Sequence, residues 1–280
     1  MKKTLCGGAA LLTLLSAAHA QDDADNTLGP FEVSANVAFT TDYRWRGVSF
    51  SDGDFAVQGG FDATHESGFY VGVWASSIEN YGGTIDLQEI ETVTDGETTV
   101  SSVPTFLSGA ETELDVYGGF AGEANGLGYD VGVIWYTYPG SDIDTDYAEV
   151  YGSLSVAAGP GSLTGGSGYI WDQDNTFGGD NIYVYGDYSA PLGDSGVTLD
   201  AHLGYTDGAF AFDGTQFDWL VGLSYDLAGL TFQAAYVATD ADTDVDIADG
   251  VFTEAVQRDL EDAVEDILGH TAIFTVSKSF

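Results

Sequence analysis

The side chains able to do chemistry in this sequence are its acids, four histidines and a few arginines: 45 Asp and Glu stand against 6 Lys and Arg. His19 lies in the leader, His65 in an H-E-S-G turn, His202 on the polar side of an alternating run and His270 beside the last such run. A nucleophilic site needs a base beside a Ser and a polar group orienting that base. His202 falls mid-run on the side opposite the apolar residues, which fits a hydrogen-bonded interior histidine better than a catalytic base. No P-loop, H-E-x-x-H or G-x-S-x-G occurs. Asp240, Asp242, Asp244 and Asp246 alternate as calcium loops do, but the sixth residue from Asp240 is Val245 where a calcium loop has Gly. The reading is of a non-enzymatic chain with no cofactor and no dedicated metal site.

Arg44 and Arg46, close to Asp42, are half of the basic residues beyond Lys2 and Lys3. Two roles fit them: shaping the field at a pore mouth, or pairing with acids so as to hold a wall together.

The charge balance excludes whole classes. At a formal net charge of −39, the chain cannot displace counterions from a phosphate backbone, so nucleic acid is not a partner. With 16 Phe, 16 Tyr and 5 Trp it is too aromatic for a disordered acidic chain. Residues 1–20 have the charged start, apolar run and Ala18-His19-Ala20 ending of an export signal. Its removal takes away the lone Cys6, leaving no thiol. Residues 21–32 then form an acidic periplasmic segment, and residues 33–280 the folded unit.

That unit is built from period-two alternation. Segments of about ten residues start near Val33, Phe55, Gly68, Glu113, Leu127, Asp146, Ser162, Asn181, Val197, Gln216, Leu230 and Thr271. In the first, Val33 to Arg44, one face carries Val33, Ala35, Val37, Phe39, Thr41 and Tyr43. Short Gly, Pro or Asn turns alternate with long acidic connections, Trp45–Asp54, Glu79–Thr112, Pro139–Thr145, Asp172–Asp180, Asp207–Thr215 and Thr239–His270. This sorting of loops by end belongs to an up-and-down transmembrane barrel. The polar face carries Asp42, Arg44, Asp62, Asp130, Glu149, Asp187, Asp200, His202, Asp218 and Asp226, and Arg46 shares the face of Asp42 and Arg44. So many charges demand a wet interior, with the apolar face turned to outer-membrane lipid. The expectation is a closed antiparallel β-barrel of about twelve strands, all-β but for an amphipathic helix over residues 252–268. Interior glycines such as Gly60, Gly132 and Gly222 would widen the lumen. Tyr43, Trp45, Tyr205, Trp219, Tyr225 and Phe280 are expected in lipid-facing aromatic girdles. Lys278 would snorkel to the water boundary.

Residues 36–77 carry D-Y-R-x-R-G (Asp42 to Gly47), S-D-G (Ser51 to Gly53), A-V-Q-G-G (Ala56 to Gly60) and H-E-S-G-F-Y-V-G (His65 to Gly72) in order. This stretch resembles the opening of the TorF family of porins. The resemblance implies a Gram-negative outer-membrane barrel passing small hydrophilic solutes, and leaves the solute open. The terminal Phe280 resembles the signal read by the barrel-assembly machinery. The acidic interior points to a weak preference for cations. A non-conducting structural or adhesive barrel with acidic loops is the alternative.

Overall fold

The structure, a computed structural model, describes residues 27–94, 97–176, 178–211, 214–241 and 264–280. Alternation becomes strand wherever the sequence carries it. The strands are β1 (Thr27–Leu28), β2 (Phe31–Thr40), β3 (Arg44–Trp45), β4 (Val48–Ser49), β5 (Ala56–His65) and β6 (Phe69–Tyr81). There follow β7 (Thr84–Thr94), β8 (Glu97–Leu107), β9 (Ala110–Ala124), β10 (Leu127–Thr137), β11 (Tyr147–Ala158) and β12 (Gly161–Ile170). The last are β13 (Asn181–Pro191), β14 (Val197–Gly208), β15 (Thr215–Leu227), β16 (Leu230–Thr239) and β17 (Thr271–Ser279).

Sequential strands pair antiparallel from β9 to β17, β6 joins β9, and β2 pairs with both β17 and β5. Twelve strands thus close on themselves, which pairs every ladder and leaves no sheet edge. The sheet starts two residues before the alternation at Val33, and β1 folds back on Phe31 and Glu32. The export signal and residues 252–263 of the expected helix lie outside the described residues. Residues 264–268 are helical, and among the described residues no helix is long and apolar enough to cross a membrane.

Outward positions are apolar and exposed, among them Phe39, Val57, Phe61, Val131, Leu203, Val221 and Phe274. So large an exposed apolar surface belongs against lipid. Tyr225 and Phe280 stand exposed on it, with Trp219 and Tyr205 partly so, as the girdle pattern requires. Lys278 curls its ammonium over the Phe280 ring at 4.8 Å. The two ends differ. Turns such as Asn125-Gly126 and Ala228-Gly229, with both residues at positive φ, are the tight hairpins that match strand twist. The other end carries the long connections, one of which, read from sequence as plain acidic loop, holds the β7–β8 hairpin.

Two girdle expectations are corrected. The first strand does not run on to Arg44: β2 ends at Thr40 and the chain turns into the barrel. Tyr43 and Trp45, 1% and 5% exposed, therefore lie inside and not against lipid. Alternation continued through Tyr43 in the sequence, but ladder pairing, which gives alternation its meaning, stops three residues earlier.

Candidate functional site: the barrel interior and its stopper

The connection between β2 and β5 folds into the barrel. Its core is the β3–β4 hairpin, closed by Arg46 and Gly47 at φ 51° and 83°. These values are those of a two-residue type I′ turn. Gly47 is needed twice over, since a Cβ there would lie 2.8 Å from the Cβ of Asp218 on the wall. Arg46 in the left-handed region costs about 1–2 kcal/mol, so something must hold it. Tyr43, Trp45 and Phe50 of this loop pack with wall residues Trp74, Ile134, Tyr136, Tyr138 and Tyr147 into one buried aromatic cluster. Trp45 meets Tyr136 edge-on at 6.1 Å, and Tyr43 meets Trp74 at 5.5 Å.

Two arginines fasten the stopper. Arg46 Nη2 donates to both oxygens of Glu149, at 2.6 and 2.8 Å. Its guanidinium carbon sits 4.1 Å from the Trp45 ring and 4.2 Å from that of Tyr183, a cation–π sandwich. Its Nη1 is buried with no acceptor. Arg44 donates through Nε to Asp42 at 2.5 Å and through Nη1 to the carbonyl of Gly47 at 3.0 Å. It also donates to the carbonyls of Asp266 at 2.8 Å and Gly269 at 2.6 Å. A guanidinium on the free carbonyls of a helix end is favourable by charge and by hydrogen bonding. Arg44 thus ties the stopper to the last connection. Both arginines are paired, Arg46 with a wall carboxylate and Arg44 with Asp42 and backbone carbonyls.

Below the stopper the remaining interior positions form a hydrogen-bonded lining. His202 faces Asp187 through Nδ1 at 2.5 Å and Asp218 through Nε2 at 3.1 Å, with the Tyr183 hydroxyl 2.8 Å away. Ser189 and Ser224 donate to Asp200. Tyr117 donates to Asp62 at 2.5 Å, and Tyr70 to Asp130 at 2.6 Å. A small cavity, about 20 Å³, lies between stopper and wall beside Arg44, Gly47, His202, Asp218, Gln233 and Ile273.

Ten of the residues singled out from the sequence sit in this interior, but not as one site: Asp42 pairs with Arg44, Arg46 with Glu149, and His202 with Asp187 and Asp218, while Asp62, Asp130 and Asp200 each accept from hydroxyls elsewhere on the wall. The glycines do not simply widen it. A Cβ on Gly72, Gly119 or Gly132 would strike the ring of Tyr117, Tyr70 or Tyr151, each directly across the ladder. The rings occupy the room the glycines leave.

Glu113 and Asp115, both 0% exposed on the inner face of β9, were missed; none of their four carboxyl oxygens has a hydrogen-bond partner. Leu114 and Val116, alternating with them, turn outward. The segment mixes polar residues with an unclear face at its start, and only the L-x-V alternation at Leu114 and Val116 could have revealed them. The β3–β4 hairpin also had its signal, Arg46-Gly47 between Trp45 and Val48.

Exposure of inward positions grades along the axis. On β2, Thr40 and Ala38 are 1% and 0% exposed, Asn36 is partly exposed and Ser34 exposed. On β9 the same order runs from Glu113 to Glu123. The interior is open to water from the short-turn end and filled at the long-loop end.

The chain matches the family described as "Bacterial protein of unknown function (Gcw_chp)" over residues 24–280. None of the curated proteins matches it. Among solved structures it is similar to the KdgM porin (TM-score 0.49, 7% identity, 88% of this chain and 98% of that one). It is similar also to the NanC porin (0.47, 11%, 88% and 97%) and to the Salmonella typhi outer membrane phospholipase OMPLA dimer with bound calcium (0.42, 12%, 92% and 93%).

Proposed function

The chain belongs to the Gcw_chp family of bacterial proteins of unknown function, and from that premise, which supplies a lineage and no activity, we propose that it is an outer-membrane channel for passive diffusion of small hydrophilic solutes. One observation carries this reading: a closed barrel, apolar outside, whose acid- and tyrosine-lined interior opens to water at one end. A soluble barrel would reverse those faces around a dry core. The likeness of residues 36–77 to the TorF porins agrees with it, as does an export signal at residues 1–20. In this reading the short-turn end and both termini face the periplasm, the long connections face outward, and Phe280 is presented to the assembly machinery.

No bond is made or broken. Width and charge sort the solutes, and Asp62, Asp130, Asp187, Asp200 and Asp218 line the path while Glu149 and Asp42 hold the stopper. The acid excess gives cations the easier passage. Passage requires the stopper to yield, because the aromatic cluster around Trp45 fills the long-loop end. That same cluster favours a second reading, a non-conducting barrel whose acidic loops are its working surface. Refolded protein in planar lipid bilayers separates the two. Discrete current steps are expected from a channel; a quiet bilayer with correctly folded barrel would leave the structural reading.

A further inference from the structure

Arg46 sits in its cage badly for an arginine, and the misfit has a direction. A guanidinium meets a carboxylate best as a fork, with two nitrogens each serving one oxygen. Here Nη2 alone serves both oxygens of Glu149, while Nη1 is buried without an acceptor. The tether explains this: Arg46 is held from a tight turn, at φ 51°, and its carbonyl is fixed by Gln216 Nε2 at 3.1 Å. The cage is otherwise complete. Glu149 supplies the charge, Tyr183 and Trp45 supply faces above and below, and Tyr136 steadies the carboxylate by a 3.3 Å hydrogen bond. Gly168 makes the room, since a Cβ there would overlap Glu149 Oε1. Apart from Trp45, each of these cage groups belongs to the barrel wall, whereas the cation belongs to the loop that folds in from outside the barrel ladders.

The geometry points to this cage as the binding site for a cationic group of the solute, a guanidinium or primary ammonium, which Arg46 occupies as a tethered stand-in while the channel is closed. The inference rests on the channel reading and adds its solute class. An untethered guanidinium can rotate into the fork that Arg46 cannot reach. It arrives through the water-open half, past Asp62, Asp130 and Asp187, and its binding removes the anchor that keeps the β3–β4 hairpin inside. Arg44 then remains as the second fastening, toward residues 266–269.

Agmatine, which carries a guanidinium at one end and an amine at the other, is the probe, with glutamate as the control of opposite charge. Binding is read by Trp fluorescence and by calorimetry on the refolded full-length barrel, with circular dichroism and heat-modifiable gel mobility reporting the fold. Saturable agmatine binding with none for glutamate is expected. Arg46→Ala vacates the cage and should tighten agmatine by roughly tenfold, because the competing occupant is gone. Glu149→Gln should weaken it by at least about tenfold, and so should the double variant relative to Arg46→Ala. Folded Arg46→Ala that binds no better than the parent, or Glu149→Gln that binds as well, overturns the cage. If Arg46→Ala fails to fold, Arg46→Gln, which keeps part of the stem and removes the charge, carries the same expectation. Bilayer conductance keeps the two proposals apart. Current steps without agmatine binding refute the cage and leave the channel. Agmatine binding with no current in Arg46→Ala refutes the channel.

Discussion

At the residue scale the interior separates charges that are answered from charges that are not. His202 answers two carboxylates at once, Asp187 and Asp218, and each ring nitrogen faces an acceptor. Its removal leaves both acids buried, and Asp187 without its one hydrogen-bonded side chain. His202→Ala should therefore destabilise the barrel by about 3–5 kcal/mol, the usual cost of stripping one partner from a buried ionic cluster. Urea unfolding in lipid vesicles checks this, and parental stability would show that water replaces the ring at no cost. Glu113 and Asp115 are the reverse case. Their carboxyls are buried among aromatic rings and make no well-formed hydrogen bond, only the Tyr43 and Tyr138 hydroxyls standing beside Glu113, so desolvation is poorly compensated. Glu113→Leu, which keeps bulk and removes the acid, is expected to raise stability by about 1–3 kcal/mol. A loss would mean that the acid is answered by bound water or a cation.

At the scale of elements the decisive piece is the β3–β4 hairpin, six residues from Arg44 to Ser49. Replacing residues 44–49 by a short Gly-Ser link removes Trp45 from the aromatic cluster, both arginine fastenings and the turn. The barrel ladders do not involve it, so the sheet should persist while single-channel conductance rises several-fold as a hydrophobic constriction is lost. Unchanged conductance would place the barrier elsewhere. The hairpin's base also carries a pH lever. Asp52, in the loop beyond β4, has its carboxyl pushed above the ordinary range by partial burial and then by the charges of Asp266, Asp54 and Asp42. A raised folded value means that the folded contact gains stability as the group takes up its proton and loses it as pH rises through that value. Closure of the loop against residues 264–268 should strengthen as pH falls through the raised Asp52 value, seen as fewer openings per unit time. Asp52→Asn should flatten that part of the pH profile, and a profile unchanged by the substitution would remove Asp52 from the contact.

At the scale of the whole molecule, twelve strands, their order and the sense of the two faces were legible because lipid imposes period two on every strand. Segment starts at Leu127, Asn181, Val197, Leu230 and Thr271 coincide with strands. The stopper was not legible, because a loop folding inward has no period to betray it, and Tyr43 and Trp45 carry the same apolar character whether they face lipid or a filled lumen. What survives both readings is charge. Inside the barrel, Asp42, Asp62, Glu113, Asp115, Asp130, Glu149, Asp187, Asp200 and Asp218 are set against Arg44, Arg46 and His202. A low-dielectric wall focuses that excess along the axis, so a potassium chloride gradient should give a reversal potential of the cation-selective sign. The preference should shrink as salt rises from about 0.1 M to about 1 M, since the screening length falls from about 10 Å to about 3 Å. Neutralising Arg44 and Arg46 together removes the two fixed positive charges of the stopper and should move the reversal potential further toward cations. An anion-selective parent would mean that the acids are paired or protonated along the whole path, and an unmoved potential in the double variant would leave the two arginines as fastenings with no share in the field.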